Sequence, residues 1–272
     1  MHLKRWITSI VALPLLVLLI YRGGPVLFAV FIGVVTIPAI WEYLHIVSPG
    51  TGKPWAKNPI LLLSFVTGPV IVWAAYHHHP QVILGVFGLT LILSVLLSLP
   101  QFKSTPSVVD TVFKQMLLIT YIPVFLSYLV VIRSDASGVS WTFFLLCIVF
   151  AGDTGAYYAG TYWGRHKLCP AVSPKKTWEG AIGGLAVNIG VGSVFKVFFL
   201  PELPWGYGLL LFVVVGIAGQ IGDLFESQLK RVGNIKDSGT LLPGHGGLLD
   251  RIDALLFAAP VVYYYKMLLL SG

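Results

Sequence analysis

Long apolar runs alternate with short polar breaks along the whole chain. A helix that crosses a bilayer needs roughly 20 mostly apolar residues. Nine stretches are candidates: about 6–21, 26–46, 59–76, 81–99, 112–132, 140–163, 178–199, 206–229 and 251–270. The first is short and contains Pro14, so it is expected to be tilted, broken or re-entrant. Lys4 and Arg5 precede it as in a signal peptide, but no convincing small-residue cleavage site follows, and it is read as retained. The breaks carry turn chemistry, as in Arg22-Gly23-Gly24-Pro25, Ser48-Pro49-Gly50-Thr51-Gly52 and His79-Pro80. No internal repeat is visible. The pattern predicts an all-α, polytopic transmembrane bundle of about nine spanning helices.

Basic residues orient such a bundle, because lysine and arginine concentrate in cytoplasmic loops. With the N-terminus inside and each span crossing once, fourteen of the 18 basic residues fall on the inner side. These are Lys4, Arg5, Lys53, Lys57, Lys103, Lys114, Arg165, Lys167, Lys175, Lys176, Lys230, Arg231, Lys236 and Arg251. Arg22, Arg133 and Lys266 fall outside, with Lys196 near that face. An error of one span would scramble this separation. The C-terminus is then outside, and the membrane is expected to be the inner or plasma membrane.

Composition agrees. Hydrophobic residues make up 56% and charged residues 11%, against about 25% charged in a soluble domain. The net charge of +7 does not point to nucleic acid, since few residues remain to build a water-exposed basic face. It fits topology together with an anionic ligand. Cys147 and Cys169 suggest neither a disulfide frame nor a metal site. Charge is uneven along the chain. Residues 1–135 are read as apolar N-terminal helices, and 136–272 as a catalytic transmembrane region with polar cytoplasmic loops at 164–177 and 230–250.

Asp153, Asp223 and Glu226 lie inside apolar spans, where a charge costs at least about 2.5 kcal/mol at mid-membrane and is by default functional. Asp223 and Glu226 are three apart and share a helix face, which Ser227 and Lys230 extend. Asp250 and Asp253 repeat that spacing at the start of the last span, where helix capping is the alternative. Glu42, near the inner end of the second span, reads equally well as half of an interfacial ion pair. Gly216, Gly219 and Gly222 recur every three residues, Gly152, Gly155 and Ala156 flank Asp153, and Gly180 and Gly184 form a small-xxx-small pair. Such residues promote close helix packing in membranes and would bring acids on different helices together.

Two polar segments stand out. Ser173-Pro174-Lys175-Lys176-Thr177-Trp178-Glu179-Gly180 runs into a span, and its lysines and hydroxyls at a helix start suit phosphate. Juxtamembrane lysines also serve as topology signals or contacts to anionic lipid. The second segment is Ser227-Gln228-Leu229-Lys230-Arg231-Val232-Gly233-Asn234-Ile235-Lys236-Asp237-Ser238-Gly239, continuing through Leu242-Pro243-Gly244-His245-Gly246-Gly247-Leu248-Leu249-Asp250-Arg251-Ile252-Asp253. It resembles the signature of the CDP-diacylglycerol synthases, or phosphatidate cytidylyltransferases, at every fixed polar position. The Gly152-Asp153 span and the lysine loop look like that family too, so the specific resemblance covers roughly residues 150–255.

The resemblance implies transfer of CMP from CTP to phosphatidic acid, giving CDP-diacylglycerol and pyrophosphate in phospholipid biosynthesis. Both reacting groups are anionic, so the site must supply positive charge. It implies Mg2+, with Mn2+ and a second cation as further options, on Asp223 and Asp250, with Asp153, Glu226 and Asp253 as additional metal ligands or their surroundings. It further implies roles for Lys230, Arg231, Lys236, Asp237, His245 and Arg251 at the reacting phosphates. Ser173, Lys175, Lys176, Thr177, Glu179, Ser227, Gly246 and Gly247 are expected to bind substrate. His245 is alternatively a turn residue at a helix entry. Expected partners are CTP, phosphatidic acid, the bilayer and a second copy of the chain. The rival readings are a nucleotide-dependent polyprenol or phytol kinase, a transporter with intramembrane acids, and a non-catalytic ligand-binding scaffold.

Overall fold

The computed structural model describes residues 2–48, 54–239, 241 and 246–269. The helices follow the apolar runs. In chain order they are α1 (His2–Arg22), α2 (Gly24–Val47), α3 (Pro59–Leu62), α4 (Ser64–Tyr76), α5 (Pro80–Phe102), α6 (Val108–Ile119), α7 (Phe125–Ser134), α8 (Gly138–Tyr162), α9 (Trp178–Phe198), α10 (Trp205–Val232) and α11 (Leu249–Leu269). Among the described residues, eight helical segments are long and apolar enough to cross a membrane. The chain is a multi-pass helical membrane protein. α1 is a continuous helix despite Pro14, but its apolar stretch, Ala12–Arg22, is shorter than the others.

Two of the expected spans are built from pieces. α3 and α4 form one segment, in which Asn58 caps the start by accepting from Ile60 N at 3.0 Å. α6 and α7 are joined by a π turn at Thr120–Val124 that contains Pro123. Proline has no amide to donate, and a widened turn is one way a helix accommodates that loss.

Close contacts divide the chain into two units. One contains Met1–Ser134 and Val232–Asp250, the other Asp135–Arg231 and Arg251–Gly272. The first unit buries Ile40, Tyr43 and Leu44 of α2, Ile71 of α4, and Leu118, Tyr121, Ile122 and Val130 around the π turn. α5 is mostly apolar and exposed, as a lipid-facing helix should be. The buried Arg133 at the end of α7 donates twice to Ile20 O near the end of α1, at 2.9 and 2.6 Å. Tyr43 Oη donates to Lys114 O at 3.3 Å, joining the end of α2 to α6. Both contacts join helix ends that alternating crossings put on the same side.

In the second unit α8 packs against α9 through small residues. A Cβ on Gly184 would lie 2.8 Å from Gly152 O, so the two backbones touch where a side chain would separate them. α10 meets α11 in the same way, since a Cβ on Gly222 would stand 2.6 Å from Asp253 O. Lys266, near the end of α11, pairs with Asp135, just before α8, at 2.6 Å. The polar loop expected at 164–177 contains a short antiparallel hairpin, β1 (Lys167–Cys169) and β2 (Ser173–Thr177).

Candidate active site

The hairpin is fastened to the start of α9. Thr177 is its N-cap, with Oγ1 accepting from Gly180 N at 3.1 Å. The Glu179 carboxylate turns back and accepts from Arg165 N at 3.1 Å and His166 N at 3.2 Å, and pairs with His166 Nδ1 at 2.6 Å. This clamp presents Lys175 and Lys176 on β2 beside α8 and α10. A cleft of about 420 Å³ results, and its polar lining includes Asp153, Thr161, Lys167, Lys175, Lys176 and Asp223.

Lys176 Nζ stands 2.5 Å from Asp223 Oδ2, with both side chains partly exposed. Asp153 on α8 lies within electrostatic range of Asp223 and Lys176. Asp253 on α11 is buried and feels both Asp223 and Asp153, with Lys230 as a nearby positive group. Three acids from three helices therefore share one region, as the small-residue pattern led us to expect. Glu226 is fully buried and ion-paired with Lys230 one turn later. Among the described residues, no three acid, histidine or cysteine side chains are close enough to form a ready-made metal cluster. The donor chemistry nonetheless fits a hard divalent cation, which takes carboxylate oxygens and would relieve the repulsion among Asp153, Asp223 and Asp253.

The other expected residues make contacts of their own. Arg231 Nε donates to Val172 O at 3.0 Å, tying the end of α10 to the hairpin. In the first unit, Asp250 Oδ2 accepts from Ser238 N at 3.0 Å and from Gly247 N at 2.9 Å. Asp250 thus closes a loop of its own segment. Lys236, Asp237 and Arg251 are exposed, Ser173, Ser227 and Gly246 are partly exposed, and Gly247 is buried. His245 lies outside the described residues.

Sequence reasoning missed Tyr157, Thr161 and Gln220, all of which line the cleft. Tyr157 and Thr161 follow Asp153 at four-residue spacing on α8, so extending the face that carries Asp153 would have found them. Gln220 donates from Nε2 to Ala181 O at 3.0 Å and braces α10 against α9.

A cleft lined by lysines and carboxylates among apolar spanning helices defines a class: a polytopic membrane protein with a charged cleft. A model of the Cytidylyltransferase family matches residues 3–269, and the chain belongs to that family. It is similar to proteins named phosphatidate cytidylyltransferase. The one from Bacillus subtilis is 40% identical over 145 residues, 53% of this chain and 54% of that protein. The one from Staphylococcus haemolyticus is 42% identical over 144 residues, 53% of this chain and 55% of that protein. The one from Mycobacterium tuberculosis strain H37Rv is 40% identical over 152 residues, 56% of this chain and 46% of that protein. The chain spans about half the length of the curated relatives it matches.

Proposed function

We propose that this protein transfers CMP from CTP to phosphatidic acid, forming CDP-diacylglycerol and releasing pyrophosphate. The observation that carries this reading is the cleft in which Lys175 and Lys176 face Asp153 and Asp223 in a member of the cytidylyltransferase family. A phosphatidate oxygen attacks the α-phosphorus of CTP, a new P–O bond forms, and the bond to pyrophosphate breaks. No strong base is required, because a phosphate monoester is already ionised at neutral pH. The chain has to hold two anions together, so positioning and electrostatics dominate. Lys175 and Lys176 bring ammonium groups to the phosphates, and the Glu179 and Thr177 contacts hold the strand that carries them. Mg2+ or Mn2+ held by Asp153, Asp223 and Asp253 would supply the additional positive charge.

The cleft faces the cytoplasm in this reading, with the N-terminus inside and the C-terminus outside the cell membrane. The fourteen inward basic residues support that orientation, and three of them, Lys167, Lys175 and Lys176, line the cleft. The deciding experiment incubates purified full-length protein in detergent with phosphatidic acid and CTP labelled at either the α or the γ phosphate. Label from the α position is expected in a CDP-lipid, with pyrophosphate released. Transfer of the γ label to lipid would establish a kinase instead, and no transfer of either label would overturn the reading.

A further inference from the structure

We propose that Glu42, on the second helix, is the positioning residue for the signature segment. It fixes Ser238, Leu248 and Leu249, the last at the start of α11. The activity arm of its test rests on the function proposed above, whereas the structural arm does not.

Glu42 is completely buried. Its partners among the described residues are three hydrogen-bond donors from a segment about 200 residues further along the chain. Oε1 accepts from Leu248 N at 2.8 Å. Oε2 accepts from Leu249 N at 2.7 Å and from Ser238 Oγ at 3.0 Å. The Leu248 and Leu249 amides stand at the start of α11, where backbone N–H groups have no intrahelical acceptor and the helix dipole is positive. A buried carboxylate in such a place is stabilised by oriented amides without needing a cation, so the interfacial ion pair considered for Glu42 gives way to a helix cap supplied from another helix.

The segment is shaped to admit this carboxylate. A Cβ on Gly239 would stand 2.5 Å from Glu42 Oε1, and one on Gly247 would stand 2.6 Å from Oε2. Ser238 donates its hydroxyl proton to Glu42, while its oxygen accepts from Asp250 N at 3.3 Å. Asp250 returns two bonds, from Ser238 N and Gly247 N. Glu42, Ser238, Gly247 and Asp250 thus form one closed network. Lys236 and Asp237 immediately precede it, and Asp250 and Arg251 follow Leu249. Displacing the network shifts those residues, and misplacement by about 1 Å can cost on the order of 100-fold in rate.

The test compares wild type, Glu42→Gln, Ser238→Ala and the double variant as full-length protein in detergent. Glu42→Gln keeps size and burial but turns an NH2 group towards donors. Hydrogen exchange of a peptide spanning residues 246–252 is expected to accelerate at least about tenfold, as a lost buried hydrogen bond implies. The kcat for CMP transfer is expected to fall on the order of 100-fold, with KM for CTP changed far less. Ser238→Ala should move both readouts in the same direction by less, and the double variant should be no worse than Glu42→Gln. Unchanged exchange in either single variant would overturn the proposal, and so would accelerated exchange with undiminished kcat. If Glu42→Gln does not fold, Ser238→Ala alone decides between these outcomes. A wild type without CTP turnover would sink the proposed function, and the exchange result would still decide whether Glu42 anchors the segment.

Discussion

Lys176 and Asp223 pair at 2.5 Å in the candidate cleft, and Asp153 and Asp253 lie within electrostatic range of Asp223. Removing the Asp223 charge frees Lys176 and, on the proposed function, also takes away a carboxylate that would hold a divalent ion. Asp223→Asn is therefore expected to lower CMP transfer by at least about 100-fold while the protein still inserts and elutes as a folded species in detergent. Excess EDTA is expected to abolish turnover of the wild type, with Mg2+ restoring it. Full activity of Asp223→Asn, or of metal-depleted protein, would remove this cleft from the mechanism. The sequence made Asp153, Asp223 and Asp253 visible because charge is conspicuous in apolar spans. It also put Asp250 beside Asp223 as a leading metal ligand, with helix capping as the alternative for Asp250 and Asp253. In the structure Asp250 Oδ2 accepts from Ser238 N and Gly247 N, and Asp253 lies within electrostatic range of Asp223 and Asp153.

Between helices, close packing depends on missing side chains. At Gly184 a Cβ would meet the Gly152 carbonyl at 2.8 Å, and backbone cannot move aside as a flexible side chain can. Gly184→Val should force α8 and α9 apart, cost about 1–3 kcal/mol, and lower the thermal unfolding midpoint in detergent. An unchanged midpoint would mean that the helices tolerate separation. The helix bounds were legible to within about four residues, since long apolar runs leave few alternatives. The hairpin at Lys167–Thr177 was not, because a Ser-Pro-Lys-Lys-Thr strand shows no apolar alternation. Pro123 hinted at an irregular turn but not at its π geometry. The partner of Glu42 was out of reach too, because no local period records a contact across about 200 residues.

For the whole molecule, alternating crossings are supported by contacts within each unit, such as Lys266 with Asp135 and Arg133 with Ile20. Orientation can be checked directly. In a Cys147→Ser, Cys169→Ser background, Ala136→Cys is expected to react with an impermeant maleimide added outside intact cells. Lys103→Cys should react only after the membrane is opened. The reverse pattern would invert the protein and place the cleft outside.

The pair of hydrogen bonds from Arg133 to the Ile20 carbonyl has a consequence for shortened or split versions of the chain. Helix ends leave carbonyls without amide partners, and this one is served by a buried guanidinium. Deleting residues 1–22 would therefore do more than remove a lipid-facing helix, because it strands a positive charge inside the remaining bundle. Such a deletion is expected to express poorly, and adding Arg133→Met should recover part of the yield by removing the orphaned charge. Supplying residues 1–22 as a separate peptide should rescue the truncated chain that keeps Arg133 and leave the one carrying Arg133→Met unimproved. Arg133 would then act as a built-in checkpoint that α1 has been delivered.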